Sequence, residues 1–381
     1  MATSDDVGVS AAATLPTVTP QSEGQGSVAQ AEETDAWTQT QTQTGNGDEF
    51  SAFPNELEFG TDSSDTNTER DNDSALGTSV VNSTVSIRSS IYEYMEENGR
   101  TYHAYNSGKY MLPNDEREQD RLDLQHHSFR VMLNGKLYLA PIQSPNRVLD
   151  LATGTGIWAI EFAQENTEST VVGTDLSPIQ PLYVPPNCQF EVDDAENDWN
   201  FSEPFDYIHA RAVVTCFKDN RAMVKKIFDN LKPGGYFEFQ DPCLPMLSDD
   251  KSLEGTALDE WNNHLVESMS RMGRNLKDSQ NWGQYMKDAG FVDVTETRFY
   301  VPVNPWARGK KAKLLGAISY QNLNEGIASL STAAFTRILG WDQPRLEVFL
   351  ASVRADLANK DIHAYGVVYF VHGRKPETAE A

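Results

Sequence analysis

One short stretch of the chain has residue types and spacing that suit the binding of a small charged ligand: RVLDLATGTGIWAIEFAQ, residues 147–164. An apolar run ends in Asp150, a loop with Gly154 and Gly156 follows, and apolar residues then recur at helical spacing. A strand, a glycine turn and a helix in this order bring backbone N–H groups close to a ligand. Such a turn suits a dinucleotide, a nucleoside triphosphate or S-adenosylmethionine.

The ligands that contain phosphate fit this loop less well. Gly154, Gly156 and Ala159 formally satisfy the dinucleotide pattern G-x-G-x-x-G/A, and Asp175 lies near the position of the ribose-binding acid. Asp150, however, would face a bound pyrophosphate across a loop without lysine or arginine, and like charges repel. The triphosphate pattern G-x-x-x-x-G-K-[ST] is absent from the loop. An NAD-dependent dehydrogenase is therefore the minor alternative.

S-adenosylmethionine suits the acids better, because it carries a sulfonium, an ammonium and one carboxylate but no phosphate. Asp150, Asp175 and Asp194 each follow one of three successive predicted strands, whose carboxyl ends share one edge of a parallel sheet. We expect Asp150 to face the ammonium, directly or through water, and the helix that begins at Ile157 to face the carboxylate. Asp175 can accept from both ribose hydroxyls, and Asp194 from the adenine amino group. A strand-end or capping role is the alternative for each acid.

Strands and helices alternate through the middle of the chain, which predicts a parallel sheet with helices on both faces. The predicted strands are RVLDL, TVVGTDLS, CQFEVDDAE, FDYIHARAVV and YFEFQD, and the predicted helices are GIWAIEFAQE and NRAMVKKIFDNL. We place the core sheet in residues 145–245, a mostly helical insertion that can cover a substrate at about 250–345, and a C-terminal helix and strand in 346–374. Before the sheet, DEREQDRLDLQHHSFRVML predicts a helix with Leu122, Phe129 and Leu133 on one face.

The composition restricts the classes of partner. Residues 1–90 hold 15 acids and 2 bases, with few apolar residues, so we expect a disordered acidic tail. The net charge of −25 disfavours a nucleic-acid surface, and no apolar run approaches the length of a membrane span. The three cysteines lack the spacing of a metal site, and the N-terminus lacks the pattern of a signal sequence. We expect an intracellular protein without a metal and without direct contact to nucleic acid or membrane.

Several of these motifs resemble those of class I S-adenosylmethionine-dependent methyltransferases, namely VLDLATGTG, VVGTDLS, VDDAE, LKPGGYFEFQD and the helix-to-strand passage KDAGFVDV. More narrowly, the segments ENGRTYHAYNSGKYMLPNDEREQDRLDLQHHSF, PIQPLYVPPNCQFEVDDAENDW, VPVNPWAR and DIHAYGVVYFVHGRKP resemble the fungal LaeA-type methyltransferases. The resemblance covers residues 91–376. It implies a Rossmann-like α/β fold with a seven-stranded, mostly parallel sheet, whose last two strands rest on the resemblance, and helical N-terminal and inserted lid segments. It also implies a link to fungal secondary metabolism, velvet-type partners, and a place in the nucleus or cytoplasm.

The residues and the resemblance together assign cofactor binding to Asp150, Ala152, Gly154, Gly156, Asp175, Asp194 and Ala195. Two of the family's glycines are replaced, the first glycine of the loop by Ala152 and the glycine before Asp194 by Asp193. Alanine is small enough where its backbone angle is ordinary, and on that condition we expect binding to be kept. We expect Asp193 to add charge without a clash.

Methyl transfer demands no particular catalytic residue, because the donor is already activated and the protein chiefly aligns the nucleophile and excludes water. The candidates are Tyr102 and His103, whose rings can fold over the sulfonium, and Arg211, which can pair with Asp194 or with the cofactor carboxylate. Packing of the rings and a structural ion pair are the alternatives. Glu238, Gln240 and Asp241 end the fifth predicted strand and are expected at the same edge.

The sequence leaves three roles open. The chain can be an enzyme that tailors a small metabolite, or a regulator in a nuclear complex whose catalysis is secondary or directed at protein. It can also be a scaffold that binds the cofactor without turnover. The aromatic insertion favours a small apolar acceptor, whereas the acidic tail favours a partner-binding role.

Overall fold

The computed structural model describes residues 94–97, 99–103, 105 and 111–377. The predicted disordered tail, residues 1–90, lies outside the described residues. The described part begins with two short antiparallel strands, β1 (Met95–Glu97) and β2 (Arg100–Tyr102), and continues into α1 (Glu116–Met132). The helix α1 begins after Asp115, whose side chain accepts a hydrogen bond from the N–H of Glu118 at 3.1 Å and so satisfies one of the free donors of the first turn.

A seven-stranded sheet forms the centre of the fold. Its strands are β3 (Arg147–Leu151), β4 (Thr170–Asp175), β5 (Cys188–Val192), β6 (Phe205–Arg211), β7 (Leu231–Leu247), β8 (Val292–Pro302) and β9 (Tyr365–Arg374). Their order across the sheet is β5-β4-β3-β6-β7-β9-β8. Strands β3 to β7 pair in parallel, whereas β9 runs antiparallel to both β7 and β8. The predicted seven-stranded, mostly parallel sheet of a Rossmann-like fold is confirmed.

Six further helices connect or follow these strands: α2 (Ile157–Glu165), α3 (Asn220–Asp229), α4 (Ala257–Arg271), α5 (Trp282–Ala289), α6 (Lys310–Ala333) and α7 (Gln343–Ala358). The side chains of Asp219, Thr256 and Asp342 cap α3, α4 and α7. Within the part of the chain that the structure describes, no helix has the length and apolar character needed to cross a membrane.

Apolar residues cover both faces of the sheet, because side chains alternate along each strand. On one face, Leu149 packs in a buried cluster with residues of α3 and α5. On the other face, Val148 packs with Trp158 and Phe162 of α2, and Phe370 packs with residues of α1 and α6. A further buried cluster joins α4, α6 and α7 away from the glycine loop.

The segment expected as a helical insertion, about 250–345, contains α4, α5 and α6 but also the strand β8. The strand follows α5 at the KDAGFVDV motif and pairs with β9 from Val292 to Pro302. Because β8 lies at the edge of the sheet, most of its residues are at least partly exposed. The resemblance at KDAGFVDV indicates a strand here, but its partner in the sheet lies more than 60 positions away in the sequence, and the motif does not specify that pairing.

Candidate functional site

A cavity of about 140 Å³ lies at the carboxyl ends of β3, β4, β5 and β6. The glycine loop after β3, the segments that follow the other three strands, and α1 all contribute to its wall. Six of the seven residues that were assigned to the cofactor line this cavity, namely Asp150, Ala152, Gly154, Asp175, Asp194 and Ala195. The fold thus gathers around one cavity acids that are far apart in the sequence, as the position of the strand ends predicts.

The backbone of the glycine loop is left-handed at three positions. The φ angles of Ala152, Gly154 and Gly156 are +51°, +60° and +80°. The condition of an ordinary backbone angle is therefore not met at Ala152, because an L-residue at this φ brings its Cβ close to the following carbonyl oxygen. Ala212, which also lines the cavity, has a φ of +54°. Two alanines in this sparsely populated region mark the wall of the site as strained.

We expect Ala152→Gly to stabilise the protein. Glycine removes a left-handed strain of about 1–2 kcal/mol and loses about 0.5–1 kcal/mol through the greater freedom of the unfolded chain. The net gain of about 0.5–1 kcal/mol is measured as a shift of the chemical unfolding midpoint. The matched control is Ala195→Gly, since Ala195 lines the same cavity but does not have a positive φ. If Ala152→Gly were as stable as the parent or less stable, the inference that the backbone is strained at Ala152 would be wrong.

Asp175 ends β4 and holds the glycine loop in place. One carboxylate oxygen accepts the N–H of Gly154 at 2.9 Å, and the other accepts the N–H of Ser177 at 2.9 Å. Burial raises the pKa of Asp175 to about 6, although the backbone N–H groups of Ser177, Gly154 and Leu176 oppose this shift. Each oxygen keeps a second acceptor site, so the carboxylate can accept two more hydrogen bonds from a ligand in the cavity.

Asp150 ends its strand in a buried network. One oxygen accepts the hydroxyl of Thr153 at 2.6 Å, and the other lies 2.7 Å from Nδ1 of His209. The ring of His209 stacks on Trp158 with 3.7 Å between the ring centroids. Burial lowers the pKa of His209, which favours a neutral ring that donates from Nδ1. Its Nε2 is then an acceptor, and it is buried without a hydrogen-bond partner in the described residues.

Asp194 follows β5 and is buried in the wall of the cavity. One of its oxygens accepts the N–H of Glu196 at 3.0 Å, while its own N–H donates to Asp193 at 2.8 Å. Asp193 also lines the cavity, so the residue that replaces a family glycine places a second carboxylate at this point. Ala195 lies beside them and packs against the cluster that includes Phe205.

Gly156 is the one assigned residue outside the cavity wall. It precedes α2, and a Cβ at this position would lie 2.8 Å from Cε1 of Phe190 and closer still to Cζ. A Cβ on Gly173 of β4 would lie 2.6 Å from the same ring. Position 156 therefore requires glycine for two reasons: its φ is left-handed, and the ring of Phe190 in β5 packs against the loop there.

Arg211 lines the cavity, but its donors are used within the protein. Its Nε donates to Gln240 at 2.8 Å, Nη1 to Nδ1 of His126 at 2.9 Å, and Nη2 to the carbonyl of Leu137 at 3.2 Å. Since arginine only donates, Nδ1 of His126 is unprotonated, and its Nε2 donates to Glu161 at 3.0 Å. Burial, reinforced by Arg211, lowers the pKa of His126 to about 3. This network fastens α1 to the sheet and favours the structural alternative for Arg211.

Tyr102 and His103, the other two catalytic candidates, do not line the cavity among the described residues. Both are buried. The guanidinium of Arg337 lies 5.7 Å from the ring centre of Tyr102, beyond the end of α6. These positions favour the alternative that the two rings pack within the protein and do not contact the sulfonium. The adjoining strand still reaches the site, because Thr101 hydrogen-bonds Asn114, which lines the cavity.

Glu238 and Asp241 lie behind the site rather than in its wall. Glu238 accepts the N–H groups of Leu139 and Ala140 at 2.9 and 2.6 Å, and Asp241 accepts the N–H of Val213 at 2.6 Å. Burial raises the pKa of each carboxyl to about 7. They fix the loops that follow α1 and β6. Both lie in the middle of β7, which continues to Leu247 beside β9, so the expectation that they end this strand is wrong.

The contribution of α1 was not predicted from the sequence. Leu122 and Gln125 of this helix line the cavity, and Asp123 accepts the hydroxyl of Thr155 in the glycine loop at 2.7 Å. The sequence does show the apolar face of this helix that includes Leu122, and Gln125 lies one turn further along the same face. That spacing is the signal that could have predicted their contribution. Among the described residues, no group of three or more His, Cys, Asp or Glu side chains is placed to hold a metal ion.

The wall of the cavity fits S-adenosylmethionine. It offers the acceptor oxygens of Asp175 for hydroxyls, and the Asp150–His209 pair for a cationic amine. Its described lining residues include no lysine, and the one arginine already donates to protein partners. A pyrophosphate would meet carboxylates at three strand ends without a free cation there.

Comparison with known proteins identifies the family. A family model described as a methyltransferase domain matches residues 124–296. The methyltransferase pytC of Aspergillus terreus is 36% identical over 297 residues, which are 77% of this chain and 92% of that protein. The secondary metabolism regulator laeA of Aspergillus flavus is 37% identical over 305 residues, which are 79% of this chain and 82% of that protein.

A third relative, the protein-methionine methyltransferase laeA of Emericella nidulans, is 36% identical over 288 residues. These cover 74% of this chain and 77% of that protein. The resemblance found in the motifs is confirmed. The chain therefore belongs to the LaeA-type family of class I methyltransferases, which use S-adenosylmethionine and are linked to fungal secondary metabolism.

Proposed function

We propose that the cavity binds S-adenosylmethionine with its ribose at Asp175, its adenine amino group at Asp194, and its methionine part between the glycine loop and Asp150. The observation that carries this proposal is the Asp175 carboxylate. It lines the cavity, and each oxygen accepts one short backbone hydrogen bond, of 2.9 Å, which leaves acceptor capacity for the ribose hydroxyls. The ammonium faces the Asp150–His209 pair, and the N-terminus of α2 faces the carboxylate.

S-adenosylmethionine supplies a methyl group that its sulfonium has already activated. The residues of this chain bind it and fix its orientation. The Asp123–Thr155 hydrogen bond joins α1 to the glycine loop, so that α1 limits the access of water to the bound cofactor. His126 stays neutral and bridges Arg211 and Glu161, which gives it a positioning role.

Calorimetric titration of the full chain with S-adenosylmethionine and with NAD tests this function. We expect micromolar binding of S-adenosylmethionine and no heat with NAD. Binding of NAD alone would support the alternative that the chain is an NAD-dependent dehydrogenase. A folded protein that binds neither ligand would contradict the proposed cofactor site.

The affinity for S-adenosylmethionine should fall as the pH drops below 6. The ribose hydroxyls donate to Asp175 and so favour its ionised form, whereas the pKa of about 6 leaves it mostly protonated at pH 5. Between pH 7 and pH 5 we expect roughly a tenfold loss, from the fraction ionised. The measurement is a series of titrations at these pH values, below the range in which the ligand's own amine titrates. In Asp175→Asn the slope should disappear, and an unchanged slope would assign the titration to another group.

As a second function, we propose that the chain acts as a regulator together with a velvet-type protein partner, in the nucleus, the cytoplasm or both. Its relatives include proteins named as regulators of secondary metabolism. On the surface, Leu182 and Tyr183 are 93% and 95% exposed in the loop after β4. Two adjacent large apolar side chains with this exposure suit a protein contact. The same loop reaches the cofactor site, since Gln180 donates to the carbonyl of Gly154 at 2.6 Å.

A pull-down with velvet-type proteins tests this second proposal. We expect capture by the parent chain and loss of capture by Leu182→Ser/Tyr183→Ser. The matched control is Val348→Ser, because Val348 is also well exposed but lies on α7. Equal capture by the parent and the double variant would show that Leu182 and Tyr183 do not contact the partner. A methyl group gained by a metabolite pool, and lost in a deletion strain, would instead support a tailoring enzyme.

A further inference from the structure

A second cavity of about 230 Å³ adjoins the cofactor site. Its wall is formed by α1, α4, α6, the end of β7 and parts of β8 and β9. Three residues line both cavities, namely Leu122, Gln125 and Ala212. The two spaces therefore meet between α1 and the end of β6, at a position where a molecule in one can reach a ligand in the other.

The second cavity is lined mainly by apolar side chains, and methionines are prominent among them. The methionines are Met111, Met132, Met246, Met269 and Met272. Their unbranched thioethers are flexible and polarizable, so a wall made of them adapts to apolar ligands of different shape. Trp261 and Leu265 of α4 add rigid apolar surface. A largely apolar wall with few polar groups is the usual character of a small-molecule site.

The charge of Arg121 in this wall is already neutralised. Its Nε and Nη2 donate to Glu118 at 2.9 and 2.7 Å, and its Nη1 donates to Asn322 at 2.8 Å. A large anionic acceptor would have to compete with these hydrogen bonds and desolvate its own charge. Arg121 therefore brings no unpaired charge to the wall, although a second buried arginine, Arg274, also lines this cavity.

Gln125 is the polar side chain at the junction of the two cavities. Its amide makes no hydrogen bond to another side chain or backbone group in the described residues. Both a donor and an acceptor are thus available at the point where an acceptor atom would meet the cofactor. A hydrogen bond to Gln125 would therefore determine which atom of a bound molecule faces the methyl donor.

We propose that the second cavity binds the methyl acceptor, a molecule with a fused-ring or similar apolar body and one hydroxyl or amine that hydrogen-bonds Gln125. This inference rests on the proposed cofactor site. A cavity of about 150 Å³ is known to hold benzene, so 230 Å³ suits a body of about two rings. In this proposal the methyl acceptor is a free small molecule. The alternative that the test can reveal is an acceptor that is a side chain of a protein.

The experiment uses 2-naphthol as the probe, titrated into the full chain saturated with S-adenosylhomocysteine. Leu323→Trp places a larger ring in the cavity wall on α6, and Gln321→Trp places the same ring on the exposed side of that helix. We expect Leu323→Trp to weaken 2-naphthol binding at least tenfold, while the affinity for S-adenosylmethionine changes less than twofold. Gln321→Trp should bind both ligands like the parent.

Two results would overturn the proposal: no binding of 2-naphthol to the parent chain, or equal binding to the parent and Leu323→Trp. Either result with intact binding of S-adenosylmethionine leaves the cofactor site standing and points to a protein side chain as acceptor. Failure to bind S-adenosylmethionine is a failure of the cofactor site instead. The two failures are therefore distinguishable.

The role of Gln125 is tested by comparing 2-naphthol with naphthalene. The parent chain should prefer 2-naphthol by about tenfold, the value of one hydrogen bond in a buried site. In Gln125→Leu the preference should fall to about twofold while naphthalene binds as before. An unchanged preference in this variant would exclude Gln125 as the positioning residue.

Discussion

Asp175→Ala should reduce the affinity for S-adenosylmethionine by about two orders of magnitude or more. The carboxylate offers one acceptor site on each oxygen to the ribose, and a hydrogen bond to a charged group contributes about 1.5–3 kcal/mol. Two such bonds amount to about 3–6 kcal/mol, and each 1.4 kcal/mol corresponds to a factor of about ten. The variant also frees the N–H of Gly154, which loosens the loop. Calorimetric titration measures the loss.

The control for charge is Asp193→Ala. Asp193 lines the same cavity and carries the same charge, but its carboxylate accepts the N–H of Asp194 and is not assigned to the ribose, so we expect a loss of about tenfold at most. Thermal unfolding of both variants shows whether the fold is kept. An equal loss of affinity in Asp193→Ala would mean that the cavity attracts the cationic cofactor by its overall charge and not through the ribose.

Gly156→Ala should destabilise the protein by about 3–4 kcal/mol. A side chain at φ +80° carries a strain of about 1–2 kcal/mol. The new Cβ also meets the ring of Phe190, which is held in the sheet by β5, and overpacking of this kind costs about 1–3 kcal/mol. For a domain of this size each kcal/mol lowers the melting temperature by about 2–4 °C, so we expect a fall of about 8 °C or more.

Gly154→Ala is the matched control, since it lies two residues away in the same loop with φ +60°. The nearest atom to its Cβ is Cδ1 of Leu122 at 3.7 Å, an ordinary contact, so only the strain of about 1–2 kcal/mol remains. The double variant Gly156→Ala/Phe190→Leu should recover part of the loss beyond additivity, because the two residues touch. Equal destabilisation by the two alanine variants would show that Phe190 does not restrict the loop.

Local patterns in the sequence determined the cofactor edge of this protein. The motif around Asp150 and the acid Asp175 each follow an apolar run with the length of a strand. Because parallel strands end at one edge, the order of the elements alone predicts that these acids meet. The alternation of strands and helices likewise predicts the central sheet. These features depend on neighbours within a few residues of each other, and that is the information a sequence displays directly.

The tertiary structure alone decided how the rest of the site is built. Arg211 meets His126 across 85 positions of sequence, and this hydrogen bond makes a catalytic candidate part of a structural link between β6 and α1. The left-handed φ of Ala152 and the contact of Phe190 with the loop depend on how β3, β4 and β5 pack side by side. The second cavity exists because α1, α4 and α6 enclose space that no one helix outlines. Such features arise from contacts between segments far apart in the chain, whose partners a hydrophobic pattern does not specify.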